Sequence, residues 1–218
     1  MLGPSIENEV SVQQEALQQF VESGQHQQHI YGLQWGDPRQ DRHLRDVVEQ
    51  AIDPYVTSSN GTILEIGAGG GRWSRELIGR VARLILVDGE PLFEQAIRRH
   101  SDCRKIEFVV SPDGALPTIA DASVDFVFTF DTFVHFHNDL FDRYVASIGR
   151  ILKPGGFLTL HYAHHYTDLP DHNADHFNYR DDEAVADLLA QHQLRLTGRH
   201  LDFKMGWGSK LVVAKKGW

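Results

Sequence analysis

The chain of 218 residues is long enough for one domain with a sizeable core and a short extra segment, and too short for two full domains. Asp and Glu outnumber Lys and Arg by 30 to 21, and the formal charge of -9 argues against a partner held mainly through phosphates, so nucleic acid is not an expected partner. The single cysteine, Cys103, excludes an intrachain disulfide and a multi-cysteine zinc site.

The start, "MLGPSIENEV", has no basic stretch leading into an apolar one, and no apolar run reaches membrane-spanning length, so a cytoplasmic location is expected. In "NEVSVQQEALQQFVESG" apolar residues recur at helical spacing through Val10, Leu17, Phe20 and Val21, with Gly24 as a stop. "DRHLRDVVEQAI" predicts a second helix, and Gly32, Gly36 and Pro38 mark "HQQHIYGLQWGDP" between them as irregular. Residues 1–60 are too glutamine-rich to hold their own core and are expected to form a helical cap on the domain that follows, residues 61–218. The cap's helices are open to two roles, a lid over a pocket or a homodimer contact; Trp35 and its flanking glycines favour the lid.

Beyond residue 60, short apolar runs alternate with helical patterns. Strands are expected at "TILEI", "LILV", "IEFVV", "VDFVFTF" and "FLTLHY", then at "LRLTGRHLDF" and "KLVVA". Helices are expected at "WSRELIGRV", "PLFEQAIRRH", "LFDRYVASIGRIL" and "DEAVADLLAQH". Near-continuous apolar strands separated by helices indicate an α/β fold: a doubly wound, Rossmann-like, mostly parallel sheet of seven strands, since an exposed face would have forced alternation. "KMGWGS" is too short for a crossover, so the last two strands should form an antiparallel edge hairpin.

The first strand runs into "IGAGGGRW". Glycine there lets backbone approach a ligand in the crevice at the carboxyl ends of the strands. A dinucleotide fingerprint needs a third glycine where Arg72 stands, so a nicotinamide-dependent oxidoreductase is the weaker reading. Asp88, at the end of the second strand, lies 21 residues after Gly67, close to the offset at which a carboxylate meets ribose hydroxyls.

Taken together, residues 60–215 resemble the class I S-adenosylmethionine-dependent methyltransferases. The resemblance rests on "LEIGAGGG", on Asp88 in "LILVDGEP", on Asp113 in "VVSPDGALP", on "DASVDFVFTFDTFVHF" and on "RILKPGGFLTL", in the family's order. It implies S-adenosylmethionine as cofactor and contacts to it along Gly67, Ala68, Gly69 and Gly71. It further implies that Glu65 orients the methionine amino group, that Asp88 with Gly89 holds the ribose, that Asp113 with Gly114 meets the adenine, and that Phe130 borders the site.

Each residue also has a bland reading. Gly71 can serve helix packing alone, and "SPDG" around Asp113 is itself a turn former. Glu65 interrupts a buried strand and needs a partner whatever its role.

For the acceptor, the ends of the fourth and fifth strands offer Asp131, His135 and His137, then His161, His164, His165 and Tyr166. His135 is the first choice as base, Asp131 its orienting or substrate-binding partner, and His161 a further candidate; with 13 histidines in the chain, any single one is more often structural. His172 and His176, with Asp168, Asp171 and Asp175, have partial metal-ligand spacing, but without a complete motif no metal is expected. "FDTF" lacks the Asn/Asp-Pro-Pro-aromatic motif of amino methyltransferases acting on nucleobases. The expected acceptor is therefore a hydroxyl of a small metabolite, sugar or natural product, in a pocket walled by Trp35, Phe130, Phe133 and Phe136. The alternatives are N-methylation of a small molecule and a non-catalytic partner subunit that retains the cofactor pocket.

Overall fold

In the computed structural model, residues 19, 22, 30–56, 58–98, 103–166, 177–205 and 207–218 are described. The helix expected over 8–24 lies outside them, save that Gln19 and Glu22 are both helical.

Seven strands form one sheet: β1 Thr62–Ile66, β2 Arg83–Asp88, β3 Ile106–Val110, β4 Val124–Thr129, β5 Leu152–Ala163, β6 Leu194–Met205 and β7 Trp207–Lys216. Their order is β3-β2-β1-β4-β5-β7-β6, with every pair from β3 to β5 parallel and β7 antiparallel to both β5 and β6. The expected mostly parallel sheet and its antiparallel edge hairpin are thus present. Order reverses between β1 and β4, the switch point at which doubly wound sheets open a crevice.

Among the described residues, five helices lie against the sheet: α1 Arg42–Val47, α2 Ser74–Leu77, α3 Leu92–Arg98, α4 Asn138–Ile151 and α5 Asp182–Gln191. Successive strand residues point to opposite faces, and both faces are covered. Leu64, Ile66, Ile85 and Val87 pack with Tyr144, Val145 and Ile148 of α4 and Val185 and Leu189 of α5. Ile63, Leu84, Leu86 and Phe128 pack with Leu77 and Ile97, and with Val47, Ala51 and Ile52 of the N-terminal segment. That segment therefore belongs to the core of this face. α1 continues into one wider turn, Val48–Ile52, whose Ala51 carbonyl accepts from the Thr159 hydroxyl at 2.7 Å. No described helix is long and apolar enough to cross a membrane.

Candidate active site

The crevice at the switch point is a cavity of about 890 Å³ above the ends of β1, β2 and β4. Its floor is the turn after β1. Gly67 and Ala68 leave the β1 ladder with both N–H groups still donating to the Val87 carbonyl, at 2.8 and 3.3 Å. Gly67 has φ +76°, and a Cβ there would lie 1.9 Å from the Thr132 hydroxyl, so only glycine lets the loop after β4 close on this turn. Gly69 also has a positive φ, but nothing lies within 4 Å of where its Cβ would stand. Its open side faces the cavity, which leaves bare backbone available to a ligand.

Gly70 shows what closes the cavity from the N-terminal side. A Cβ there would meet the backbone and Cβ of Tyr31 at 2.4 to 2.8 Å. The segment that carries Tyr31 and the short 3-10 turn Leu33–Trp35 is held down by ion pairs. Arg75 pairs with Asp37, and Arg39 pairs with Glu76 at 2.5 Å. Arg72 donates to the Trp35 carbonyl at 3.2 Å. Tyr31, Gly32 and Trp35 line the cavity.

Asp88 ends β2 at the cavity edge. Its Oδ2 accepts from the Gly69 N–H at 2.9 Å and its Oδ1 from the Glu90 N–H at 3.0 Å, which aims the carboxylate and leaves it lone-pair capacity for a ligand. Burial raises its pKa above the ordinary carboxylate value, against the pull of these hydrogen bonds.

Glu65 lies beneath the floor, 1 % exposed, and outside the cavity walls. It accepts from the Ser74 hydroxyl at 2.6 Å, the partner that a buried carboxylate needs. Burial pushes its pKa up to about 8, with the Ser74 bond opposing. Any reach toward a ligand therefore runs through the turn above it.

The acceptor side is built by the chain after β4. Asp131 has φ +55°, an unusual backbone for a non-glycine residue. Its N–H donates to Nδ1 of His161 at 3.1 Å, and its Oδ2 takes a 2.5 Å ion pair from Arg72. The His161 ring lies flat on Phe130, centroids 4.2 Å apart, and its Nε2 bonds the Ser209 hydroxyl at 2.8 Å. Burial lowers the His161 pKa to about 4, so the ring stays neutral near pH 7. His135 follows in the 3-10 turn Phe133–His135 and stacks on Phe177, centroids 5.1 Å apart. Asn178 fixes this pair: its N–H donates to the Val134 carbonyl at 2.8 Å and its Nδ2 to that of His135 at 2.9 Å.

Of the residues expected at the cofactor, Gly67, Ala68, Gly69, Asp88, Gly89 and Phe130 line the cavity. Gly71, Asp113 and Gly114 do not. A Cβ on Gly71 would touch Ile97, in keeping with helix packing. The Asp113 carboxylate turns back to accept from the Ala115 N–H at 3.0 Å, and Gly114 packs against Arg143 and Tyr144. The neighbouring Ser111 and Pro112 face the cavity in their place.

Of the acceptor candidates, Asp131 and His135 are brought together on one wall and His161 is walled off behind Phe130. His164 pairs with Asp182, His165 stacks on Tyr179 and Tyr166 bonds Asp202, all away from the cavity. Trp35 and Phe136 are walls, whereas Phe133 is core. Asp168, Asp171, His172, Asp175 and His176 lie outside the described residues; among those described, no cluster of potential ligands could hold a metal ion.

Sequence reasoning missed Tyr31, Arg72, Thr132 and Phe177. Arg72 had a signal, a cation directly after a glycine-rich turn. Phe177 had none, since its place depends on a long connection after β5.

Residues 63–156 match the family model of a methyltransferase domain. No curated protein matches the chain. Among solved structures, an S-adenosylmethionine-dependent methyltransferase from Methanosarcina mazei superposes with a TM-score of 0.62 at 19% identity, covering 76% of this chain and 96% of its own. The 1,6-didemethyltoxoflavin-N1-methyltransferase of Burkholderia thailandensis, solved with bound 1,6-didemethyltoxoflavin and S-adenosylhomocysteine, gives 0.62 at 17% identity over 100% of this chain and 92% of its own. Geranyl diphosphate C-methyltransferase from Streptomyces coelicolor gives 0.64 at 13% identity over 80% of each chain. At these identities the superpositions speak to the fold.

Proposed function

We propose, from the premise that the chain belongs in fold and in its matched domain to the class I S-adenosylmethionine-dependent methyltransferases, that it methylates a hydroxyl oxygen of a small molecule. The observation that carries this reading is one cavity with two unlike walls: bare glycine backbone and Asp88 on one side, Asp131 and His135 on the other.

The cofactor side fits the adenosyl donor. The open face of Gly69 gives it contact with main chain, and the aimed Asp88 carboxylate has lone pairs left for ribose hydroxyls. Ser111 and Pro112, just before the Asp113 that the resemblance assigns to the adenine, line the cavity and border that end of it. When bound, the donor supplies an electrophilic methyl on a sulfonium.

The chain's own residues then have three tasks. The segment Tyr31 to Trp35 covers the cavity and excludes water. Arg72, Asp131 and the buried His161 fix the loop after β4, so that an acceptor meets a rigid wall. The His135 imidazole takes the hydroxyl proton as the oxygen attacks in line, a task for which its chemistry suits near-neutral pH.

Methyl transfer to oxygen is favoured over transfer to nitrogen by the base poised in the wall. Incubation with isotopically labelled cofactor and a small-molecule extract tests this: the label is expected on oxygen, and label on nitrogen or carbon contradicts it.

A further inference from the structure

The charge of the acceptor can be read from where the chain keeps its cations. Among the described residues, the cavity walls hold one, Arg72, against the carboxylates of Asp88, Glu90 and Asp131. Arg72 is already committed. Its guanidinium is held by Asp131 and by the Trp35 carbonyl, and its side chain is only 8% exposed.

The sequence extends this beyond the walls. Residues 1–38, 106–142 and 154–179 carry half of the chain's 30 Asp and Glu and none of its 21 Lys and Arg. Among the described residues, these three stretches supply every wall residue except those from Ile66 to Trp73, those from Asp88 to Phe93, and Tyr144. They also contain residues 1–18 and 167–176, so no Lys or Arg from either can answer an anion bound in the cavity.

The remaining acceptor-side walls are rings together with Thr132, Val134 and Leu140. Tyr31 and Trp35 meet edge to face at 5.4 Å, and His135 stacks on Phe177. Trp35 keeps 60% of its surface exposed, a large flat apolar face still to be covered. An anion seated here would lose its water without gaining a cation from the described walls, and their carboxylates would repel it. A flat apolar molecule would lose little and cover Trp35.

We infer that the methyl acceptor has a flat, largely apolar ring system and bears no phosphate, sulfate or carboxylate. This rests on the methyltransferase reading of the same cavity and narrows it.

Calorimetry on the protein loaded with S-adenosylhomocysteine, using 2-naphthol, 2-naphthoate and 2-naphthyl phosphate as probes, tests the inference. The neutral ring is expected to bind at least tenfold more tightly than either anion. Equal or tighter binding of an anion overturns the inference, and so does failure of all three to bind. If S-adenosylhomocysteine itself does not load, the methyltransferase reading fails first, and the two failures are told apart. A second arm passes the labelled product from a cell extract over an anion exchanger at neutral pH. Label in the flow-through supports the inference; label retained on the column overturns it.

Discussion

The backbone N–H of Asp131 donates to the buried Nδ1 of His161 at 3.1 Å, while the Asp131 carboxylate is paired with Arg72 at 2.5 Å. One residue thus links β5, the glycine turn and the acceptor wall, in a left-handed backbone conformation that these two partners hold. Asp131→Asn keeps a residue that tolerates this conformation but leaves a nearly buried guanidinium without its charge partner. Because Asp131 is itself about one-third exposed, the loss should be about 1 to 3 kcal/mol rather than that of a fully buried pair. Urea unfolding checks this; an unchanged midpoint would show that the pair does not fix the loop.

His161 and Glu65 give stability opposite slopes with pH. The folded His161 pKa of about 4 lies below the ordinary 6.5, so its contribution is complete above pH 6.5. That contribution is lost as pH falls toward 4, by about 3 kcal/mol in all. Glu65 has a folded value of about 8 against an ordinary 4.5, so the folded state holds a proton that the unfolded chain has released. Its contribution is complete below pH 4.5 and declines as pH rises to 8. Stability of the cofactor-free protein should therefore fall from pH 6.5 to 8, and Glu65→Gln should flatten that fall. A Glu65→Gln protein with the slope of the parent would show that this carboxyl is ionised in the fold.

Gly70→Ala should act on the lid. The new methyl would overlap Tyr31, so residues 31–36 must shift while the sheet beneath is untouched. Cofactor affinity should drop severalfold with a small change in Tm. A large Tm loss with unchanged affinity would contradict the covering role of Tyr31.

Asp88→Ala removes a charge-assisted acceptor and should weaken S-adenosylhomocysteine binding by about 10- to 100-fold. His135→Ala should leave that binding intact and slow turnover by about 100-fold or more. Unchanged turnover removes His135 as the base.

How much of this was legible beforehand depended on how local each cause was. β1 and β3 fall on the expected residues because a run such as "TILEI", bounded by polar turns, has one stable reading in a sheet covered on both faces. β5 begins five residues earlier than expected, at Leu152, because "LKPGG" joins the sheet through a register shift opposite Val124 and Phe126, and Pro and Gly conceal it. "WSRELIGRV" reads as one helix but is a single α turn, Ser74–Leu77, passing into a 3-10 turn. So short a helix adds little dipole, and the bare backbone of the glycine turn carries the contact with the ligand. Asp88 stands at the cavity edge, as its offset after Gly67 leads one to expect. The Asp113 carboxylate accepts from the Ala115 N–H just after "SPDG" instead of lining the cavity, a local turn bond that the sequence offers as readily as a ligand contact. The burial of His161 and the pairing of Arg72 with Asp131 depend on strands meeting across the sheet, which no local pattern records.

The central claim is that the backbone turn from Gly67 to Gly71, with Asp88 beside it, holds an adenosyl donor. Isothermal titration of the protein with S-adenosylmethionine and with S-adenosylhomocysteine tests it most directly. Saturable one-to-one binding of both, weakened by Asp88→Ala, is the predicted result, and the absence of binding by either would contradict it.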